Sequence, residues 1–469
     1  MARLVTSRGD IVMGAKVDRP PGRGKSGFEI MGKTVLSAIM AAAILAPAWV
    51  TTALAPSALA QEDAAPTPQS ISTELYQTAM RHANAGDYET ARRLLEANLQ
   101  IKPGQVAYLR LLTLLAVLND RPDDAFAALD RVADQGLTLG LERFEEALRA
   151  ADAARFDALI ARFAENAAPV GRAERLAVVD APDALIEGVA MDIEMDRLFL
   201  SSVAEREILM IEPFSPDEVT VFADADDGLW SVFGIGVDDR TRMLWASSGV
   251  LPQTPMAEGE EVGTGLFAFD LVSGDLHRKY EIEGAERMTD FVVRDGAVYV
   301  SDNGAPRVYV LDDLSSNLRV LVEDDRFTSL QGLALSRGAL YVADYTIGIW
   351  RIDLGDQSVS LVEAGEHSLV GIDGLLNTRD GRLVAVRNGV TPHQVMAIDL
   401  DREGRAVANV DVLLRAHRDM GDNTEPTLID LADGRAWLVA NAAWPLFPGD
   451  GSAPEAPRPS TVILEMNMP

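Results

Sequence analysis

The sequence has no cysteine, so thiol catalysis, disulfide bonds and cysteine-based zinc or iron–sulfur sites are excluded. Positive charge is also scarce: 42 lysine and arginine residues stand against 72 aspartate and glutamate residues, for a formal net charge of −30. We expect no nucleic-acid partner, because nucleic acid attracts surfaces rich in lysine and arginine. The composition suits a protein that attracts divalent cations, although a merely solvated acidic surface would have the same composition.

Three common catalytic signatures are missing as well. The sequence contains no GxSxG nucleophile elbow, no HExxH zinc helix and no glycine-rich loop of the kind that cradles phosphate. Serine hydrolases of the GxSxG type, zinc peptidases of the HExxH type and P-loop nucleotide hydrolases are therefore disfavoured. Any hydrolytic chemistry has to come from another arrangement of side chains.

The N-terminus has the pattern of an export signal. Within residues 31–60 a lysine precedes an apolar run, residues 35–46, and the segment ends in Ala-Leu-Ala, the small residues that a signal peptidase requires. The run is short and is followed by a proline, which favours a cleaved signal peptide over a retained membrane anchor. We expect a periplasmic or secreted protein with no stable membrane span after cleavage. Residues 1–30 are an extension that is untranslated if Met31 is the true start.

The mature chain begins with a linker and a helical region. Residues 61–71 are polar and contain proline, as linkers do. Residues 72–168 are rich in alanine, leucine, arginine and glutamate at helical spacing. At 469 residues, 48% of them hydrophobic, the chain is long enough for this region to be one of two or three domains with real cores.

The helical region resembles tetratricopeptide repeats. In LYQTAMRHANAGDYETARRLLEANLQIKPG, Ala79 and Ala91 are small enough to let two helices approach closely, Gly86 makes the turn, and Pro103 ends the second helix. A weaker copy follows at an offset of 34 residues, and then a third helical pair. The resemblance implies a groove for a protein partner. The alternative is a helical cap packed on the next domain.

Residues 172–469 consist of short β-type runs in which one sequence pattern recurs. An anchor pair precedes an apolar strand, a tight turn and a second strand, as in QGLALSRGALYVAD. The anchors are separated by 46, 56, 42, 42 and 52 residues, and they are Glu187-Gly188, Phe233-Gly234, Thr289-Asp290, Gln331-Gly332, Asp373-Gly374 and Glu425-Pro426. Three or four strands at this period predict a β-propeller, here with six blades.

The expected fold is therefore mainly β: a six-bladed β-propeller preceded by an α-helical, tetratricopeptide-like domain. The ring has two candidate closures. The C-terminal segment STVILEMNMP could supply a strand to the sixth blade, or a strand from near residue 176 could close the ring. An NHL-like repeat that reads peptides or cell-wall glycans is an alternative interpretation of the same pattern.

The anchors predict a ring of side chains around the channel. The first strand of each blade lines the channel of a propeller, so the residue just before it points into the mouth. The predicted ring is Glu187, Phe233, Thr289 or Asp290, Gln331, Asp373 and Glu425. Carboxylate and amide oxygens form a hard site that calcium accepts with loose geometry, whereas magnesium or manganese would keep more waters. Carboxylates this close repel one another, so a cation or a raised pKa is needed.

Residues 180–465 resemble the regucalcin/gluconolactonase family. Glu187-Gly188, Thr289-Asp290, Gln331-Gly332-Leu333 and Asp373-Gly374 fall where that family has its glutamate, Asn-Asp, Asn-Gly and Asp-Gly motifs. The resemblance implies a six-bladed propeller with one divalent metal, and hydrolysis of a sugar lactone. It implies metal ligation by Glu187, Asp290, Gln331 and Asp373. The metal would be calcium first, with magnesium, manganese or zinc as alternatives.

The resemblance also implies that Asp373 is the acid or base that handles the water or the lactone, assisted by a cation that polarises the carbonyl. Two positions depart from the family: a glutamine stands at 331 instead of asparagine, and a threonine at 289. The expected ligand is a small lactone or sugar-like molecule. Its predicted binding residues are Thr289, Asn388, His393, Glu425, Asn441 and Trp444.

The sequence leaves two questions undecided: the role of two arginines, and whether the protein is an enzyme at all. Arg351 and Arg387 could bind an anionic substrate, although arginines on strands are more often solvated or paired with aspartate. The second function is a non-catalytic periplasmic scaffold or ligand-binding module, whose helical repeats recruit a protein. The carboxylate ring favours the enzyme, and the helical domain favours the scaffold, because catalysis alone does not need it.

Overall fold

The structure is a computed structural model, which describes residues 67–468 except 182, 213–214, 216–217, 366, 422–423 and 453–457. The predicted signal peptide and N-terminal extension lie outside the described residues. Among the residues described, no helix combines the length and the apolar character needed to cross a bilayer.

The N-terminal part of the described chain is helical. Its helices are α1 (Pro68–Asn84), α2 (Tyr88–Ile101), α3 (Val106–Leu118), α4 (Pro122–Asp134) and α5 (Glu145–Asn166). Helix α1 packs on α2, and α3 packs on α4.

Local sequence signals explain where the first two helices begin and end. The side chain of Thr67 accepts a hydrogen bond from the Ser70 amide, and Asp87 caps α2 in the same way. Gly86 makes the turn between them with a φ of 81°, and the buried Ala79 and Ala91 lie on the packed faces. The predicted helical domain is confirmed, while its assignment to tetratricopeptide repeats stays a prediction.

The rest of the described chain forms six antiparallel four-stranded sheets. Blades 1 to 3 are β2 (Ile186–Asp192), β3 (Arg197–Ser202), β4 (Glu207–Ile211), β5 (Val219–Ala223); β6 (Ser231–Asp238), β7 (Met243–Gly249), β8 (Thr264–Asp270), β9 (Leu276–Tyr280); and β10 (Met288–Arg294), β11 (Ala297–Asp302), β12 (Arg307–Leu311), β13 (Arg319–Glu323).

Blades 4 to 6 complete the ring. They are β14 (Leu330–Ser336), β15 (Ala339–Asp344), β16 (Gly348–Asp353), β17 (Val359–Leu361); β18 (Ile372–Asn377), β19 (Leu383–Arg387), β20 (Gln394–Leu400), β21 (Val407–Arg415); and β22 (Ile429–Ala432), β23 (Arg435–Val439), β24 (Thr461–Asn467), β1 (Glu174–Val179). The first strand of each blade packs on the first strand of the next, and β22 returns to β2. The six-bladed propeller is confirmed.

Both candidate closures of the ring are present in the same blade. The C-terminal strand β24 is the third strand of blade 6, and β1 is the fourth, with Glu174 opposite Glu465. The segment before the propeller therefore supplies the outermost strand of the last blade.

The apolar core lies between the blades rather than within one of them. One cluster joins Val308 and Val310 of blade 3 to Leu333, Leu340 and Trp350 of blade 4. Similar clusters fill the other interfaces between neighbouring blades. Each blade therefore buries its apolar surface only by packing on its neighbours, which is why the six units are alike in sequence.

A bulge at the start of the inner strand holds the anchor pair in blades 1 to 5. In blade 1 Ile186 pairs with Ser202 and Val189 pairs with Leu200, so Glu187 and Gly188 together oppose one residue, Ser201. The same shift of register occurs at the anchors of blades 2 to 5. The bulges release the anchors from the regular alternation of the strand.

The glycine of the anchor allows two blades to meet backbone to backbone. A Cβ on Gly188 would lie 2.8 Å from the Phe233 carbonyl oxygen of the next blade. A Cβ on Gly332 would overlap the backbone of Asp373 and Leu375. The recurrence of glycine after the anchor is therefore a consequence of close approach around a narrow channel.

Buried hydroxyl groups connect the bulges around the ring. Ser201 Oγ accepts a hydrogen bond from the Gly188 amide at 2.7 Å and donates to the Phe233 carbonyl oxygen of blade 2. Ser247 does the same between blades 2 and 3, and Thr427 Oγ1 of blade 6 donates to the Glu187 carbonyl oxygen at 2.6 Å. These bonds satisfy backbone groups that the bulges remove from the β-ladders.

The helical domain contacts the face of the propeller on which the inner strands begin. Thr138, between α4 and α5, donates from its amide to the Thr391 carbonyl oxygen at 2.7 Å. Thr391 lies between β19 and β20, at the same face as the start of β18. Arg415 Nε donates to the Ala168 carbonyl oxygen at 2.8 Å, which joins blade 5 to the end of the helical domain.

We expect Gly332→Ala to lower the free energy of unfolding by about 3 kcal/mol or more, because the added methyl group overlaps backbone that cannot move independently. Chemical denaturation of both proteins would measure the change. Gly421→Ala is the matched control, since among the described residues beyond its chain neighbours a Cβ there would come no closer than 3.4 Å, to Thr424 Oγ1. Equal effects of the two substitutions would show that the close approach at Gly332 is unimportant.

Candidate functional site at the channel mouth

The anchors bring acidic side chains to one end of the channel. Glu187 and Asp373 are the second residues of β2 and β18, and Glu425 lies shortly before β22. Asp290, in contrast, occupies the glycine position of its bulge. It lines a cavity of about 40 Å³ inside the channel, to which every blade contributes: Val189, Ile235, Asp290, Leu333, Leu375 and Ile429.

Asp373 is held by a hydrogen-bonded chain that spans three blades. Its side chain is 4% exposed, and its Oδ2 accepts a hydrogen bond from Asn388 Nδ2 at 2.6 Å. The same amide nitrogen donates to the Pro426 carbonyl oxygen at 2.8 Å, and Asn388 Oδ1 accepts from the Tyr345 hydroxyl at 3.1 Å. The predicted residue Asn388 therefore orients the Asp373 carboxyl group.

Glu187 is held by blade 6. Trp444 Nε1 donates a hydrogen bond to Glu187 Oε2, and Thr427 donates to the Glu187 backbone oxygen. Trp444 was predicted as a residue that binds the substrate, and here its indole contacts a predicted metal ligand. This contact fixes one oxygen of the Glu187 carboxyl group at the rim.

Burial raises the pKa of all four carboxyl groups, and repulsion between carboxylates raises it further for three of them. Burial is the first cause for each, and the nearby Asp373 charge adds to it for Glu187, Asp290 and Glu425. The pKa of Asp373 rises only to about 6, because the Asn388 amide stabilises its charge, whereas that of Glu425 rises to about 8. The pKa values of Glu187 and Asp290 lie well above their usual range.

No described basic side chain forms an ion pair with any of these four carboxyl groups, whereas 29 ion pairs occur elsewhere in the described chain. The carboxyl group of Asp373 therefore ionises at a lower pH than that of Glu425, and a bound cation would favour the ionised form of all four groups.

Several polar atoms near the mouth have no hydrogen-bond partner among the described residues. They are Thr289 Oγ1, Gln331 Nε2 and Glu425 Oε1. Buried polar groups are usually satisfied, so these atoms are available to bind water or a ligand. Within the described part of the chain, however, no three carboxyl or imidazole groups lie close enough together to hold a metal ion as they stand. The four predicted metal ligands stay predictions.

The remaining predicted residues have different surroundings. His393 is buried on the loop between β19 and β20, after Pro392. Asn441 donates to the Ser460 carbonyl oxygen at 3.0 Å and accepts from the Val462 amide at 2.6 Å. Both the nitrogen and the oxygen of its side-chain amide therefore bind the backbone of blade 6 or of the loop before it. Phe233 is buried and adds an apolar residue to the ring.

Sequence reasoning missed Tyr345 and Thr427. Tyr345 follows the second strand of blade 4, as Asn388 follows that of blade 5. An alignment of ALYVADY with RLVAVRN would have nominated the tyrosine together with the asparagine. Thr427 had no such signal, because its role is a bond to the backbone of a blade that is distant in sequence.

Comparison of the chain with family models and with curated proteins finds no match. Similar solved structures include a gluconolactonase from Xanthomonas campestris, with 18% identity over 65% of this chain and 93% of that one, and a TM-score of 0.42. Regucalcin, a calcium-binding protein from Agrobacterium tumefaciens, has 15% identity over 63% and 94%, with a TM-score of 0.43. Virginiamycin B lyase from Staphylococcus aureus has 11% identity over 63% and 99%, with a TM-score of 0.43. At these identities the likeness concerns the fold alone.

We expect Glu425→Gln to stabilise the protein at pH 9 by roughly 1–4 kcal/mol and to give no gain at pH 4. The pKa of Glu425 rises from 4.5 to about 8 on folding, so the folded state binds this proton more tightly. The contribution of Glu425 to the free energy of unfolding is therefore fully present below pH 4.5, and it is lost as the pH rises towards 8.

Urea denaturation across this pH range, in the presence of a chelator, would test the expectation. Glu403→Gln, on an exposed turn, is the charge-matched control. A Glu425→Gln gain that does not change with pH would contradict the electrostatic explanation.

Proposed function

We propose that this chain is an exported hydrolase of a small cyclic ester, such as a sugar lactone, that acts with a divalent cation at the channel mouth. One observation carries the proposal: four buried carboxyl groups converge from four blades, and no described basic side chain compensates them. Burying several like charges is unfavourable unless protons or a cation neutralise them. The site therefore has the electrostatic character of a cation site.

The donor chemistry fits a hard divalent cation, with calcium first and magnesium, manganese or zinc as alternatives. Glu187 and Asp373 would hold it, together with Asp290 and Gln331. Because no three acidic or imidazole groups among the described residues are already gathered at coordination distance, binding would have to draw these side chains together. When bound, such a cation polarises a carbonyl group and acidifies a water molecule.

The chain's own residues supply the proton chemistry. The pKa of Asp373 is about 6, so its carboxylate is ionised at neutral pH and can accept a proton from an attacking water. Asn388 holds Oδ2 of that carboxylate, and Tyr345 holds Asn388. The unpartnered Gln331 Nε2 and Thr289 Oγ1 are available to hydrogen-bond the hydroxyl or carbonyl groups of the substrate. The buried Phe233 would exclude water from one side.

A second function is a propeller that binds a small ligand without hydrolysing it, with the helical domain recruiting a protein partner. Two observations favour this alternative. The described carboxyl groups are not arranged as a finished metal site, and the helical domain contacts the same face as the mouth. Calcium binding alone does not separate the two functions, whereas lactone turnover does.

We expect calcium to bind the full chain at about one equivalent and Asp373→Asn to weaken this binding at least about tenfold, since a carboxylate ligand becomes neutral. Titration calorimetry would measure both affinities. Asp356→Asn, on an exposed turn of blade 4, removes the same charge away from the mouth and should leave the affinity unchanged. Absence of binding with either calcium or manganese would remove the cation from the proposal.

We expect a panel of sugar lactones to include a substrate whose hydrolysis, followed by proton release, falls at least about a hundredfold in Asp373→Asn. Asn388→Asp should also lower the rate, because it replaces the amide donor that orients Asp373 with an acid. Calcium binding without turnover of any lactone would support the non-catalytic alternative instead.

A further inference from the structure

A second cavity lies between the helical domain and blade 5, outside the channel. Its volume is about 240 Å³. The turn after α4 forms one wall with Gln135 and Gly136, and the propeller contributes Ser368, Arg387 and Gln394 to the opposite side. Helical and propeller residues line this cavity together, so it exists only because the two domains pack on each other.

The cavity is built around a buried cation. Arg387, at the end of β19, is 2% exposed. Its Nε donates to the Val370 carbonyl oxygen at 2.8 Å, and one terminal nitrogen donates to Ser368 Oγ at 2.9 Å. No described carboxylate pairs with it, and burial lowers its pKa to about 9. Among the described residues this buried guanidinium contacts only neutral groups, so the described part of the chain does not supply the anion that normally compensates a buried cation.

Two other arginines of this propeller have the acidic partner that Arg387 lacks among the described residues. Arg351 pairs with Asp353 at 3.0 Å, and Arg382 pairs with Asp399 at 2.8 Å. Both pairs are made within one blade: Arg351 and Asp353 lie on β16, and Arg382, just before β19, pairs with Asp399 of β20. Arg387 is more buried than either and has no described acidic partner, so it differs from arginines whose ion pairs lie within a blade.

Two more cationic or protonatable groups line the same cavity. Arg415 is half-buried and donates to the Ala168 carbonyl oxygen rather than to a described carboxylate. His367 also lines the cavity. Asp134 is the one acid among the described lining residues, and Arg162 already pairs with it. Among the described lining residues, two arginines therefore stand against one acid that is already paired, in a chain with a net charge of −30.

The remaining wall is apolar. Met396, Val410 and Val412 from β20 and β21 also line the cavity. The volume corresponds to roughly eight water molecules, or a ligand of about ten non-hydrogen atoms. Planar guanidinium groups bind carboxylates in a two-pronged geometry, and apolar side chains bind a hydrocarbon body.

We propose that this interdomain cavity binds a small organic carboxylate. The carboxylate group contacts Arg387 and Ser368, and the hydrocarbon part lies against Met396 and Val412. The site is separate from the channel mouth, whose uncompensated carboxyl groups would repel an anion. Its ligand is bound by helical domain and propeller together, which gives the helical domain a role in ligand binding that needs no protein partner.

The test is calorimetric titration of the full chain with benzoate, hexanoate and adipate. Benzamide, which has the shape of benzoate without its charge, is the matched neutral probe. We expect saturable binding of at least one carboxylate, an increase in Tm at saturation and no binding of benzamide. No saturable binding of any carboxylate, or binding of inorganic phosphate alone, would overturn the proposal.

Two variants locate the binding. Arg387→Gln should weaken it at least about tenfold, because a charge-assisted pair is lost. Val412→Trp fills the cavity and keeps every charge, so it tests the site even if Arg387→Gln folds poorly. Arg379→Gln, on an arginine whose side chain is 91% exposed, removes one charge elsewhere and should bind like wild type. Unchanged binding in Val412→Trp would place the ligand elsewhere and refute this site.

Discussion

The propeller depends on the close approach of six inner strands around a narrow channel. The strands can meet there because a bulge removes two residues from each β-ladder of blades 1 to 5, and because glycine usually occupies the second bulged position. Serine and threonine hydroxyl groups then satisfy the released backbone groups, across the interface between blades in three cases. The same bulge frees the first residue of the pair to project at the mouth. Packing and site are therefore consequences of one backbone feature.

This geometry brings acidic side chains close enough to repel one another when they are ionised. Residues that start neighbouring strands are forced together whatever their charge, and four of them are acids. Hydrogen bonds then decide which acid ionises: Asn388 lowers the pKa of Asp373 relative to its neighbours, whereas the first causes acting on Glu425 all raise it. Asp290 stands at the glycine position of its bulge and so lies deeper, in the channel cavity. The ring is not flat, and its members are not equivalent.

Much of the fold could be predicted from sequence because its signals are local and repeated. The period of the anchor phrases, the apolar alternation and the turn glycines predict six blades, and the helical spacing before them predicts the helices. Pairings between distant residues have no such signal, so the contact of Thr138 with Thr391 and the surroundings of Arg387 could not be predicted. The predicted acids of the ring lie at the mouth or just inside it. Asn441, in contrast, forms hydrogen bonds with the backbone of Ser460 and Val462, which follow it in sequence after a long loop.

The composite sixth blade has a consequence for how this chain reaches its native state. Its outer strand β1 is synthesised before any other strand, and its partner β24 is synthesised last. Until β24 has been synthesised, β1 has no strand to pair with and blade 6 is incomplete. Closure is thus a contact of very high sequence separation, which slows folding. It also means that the ring cannot close through the complete blade 6 before β24 has been synthesised.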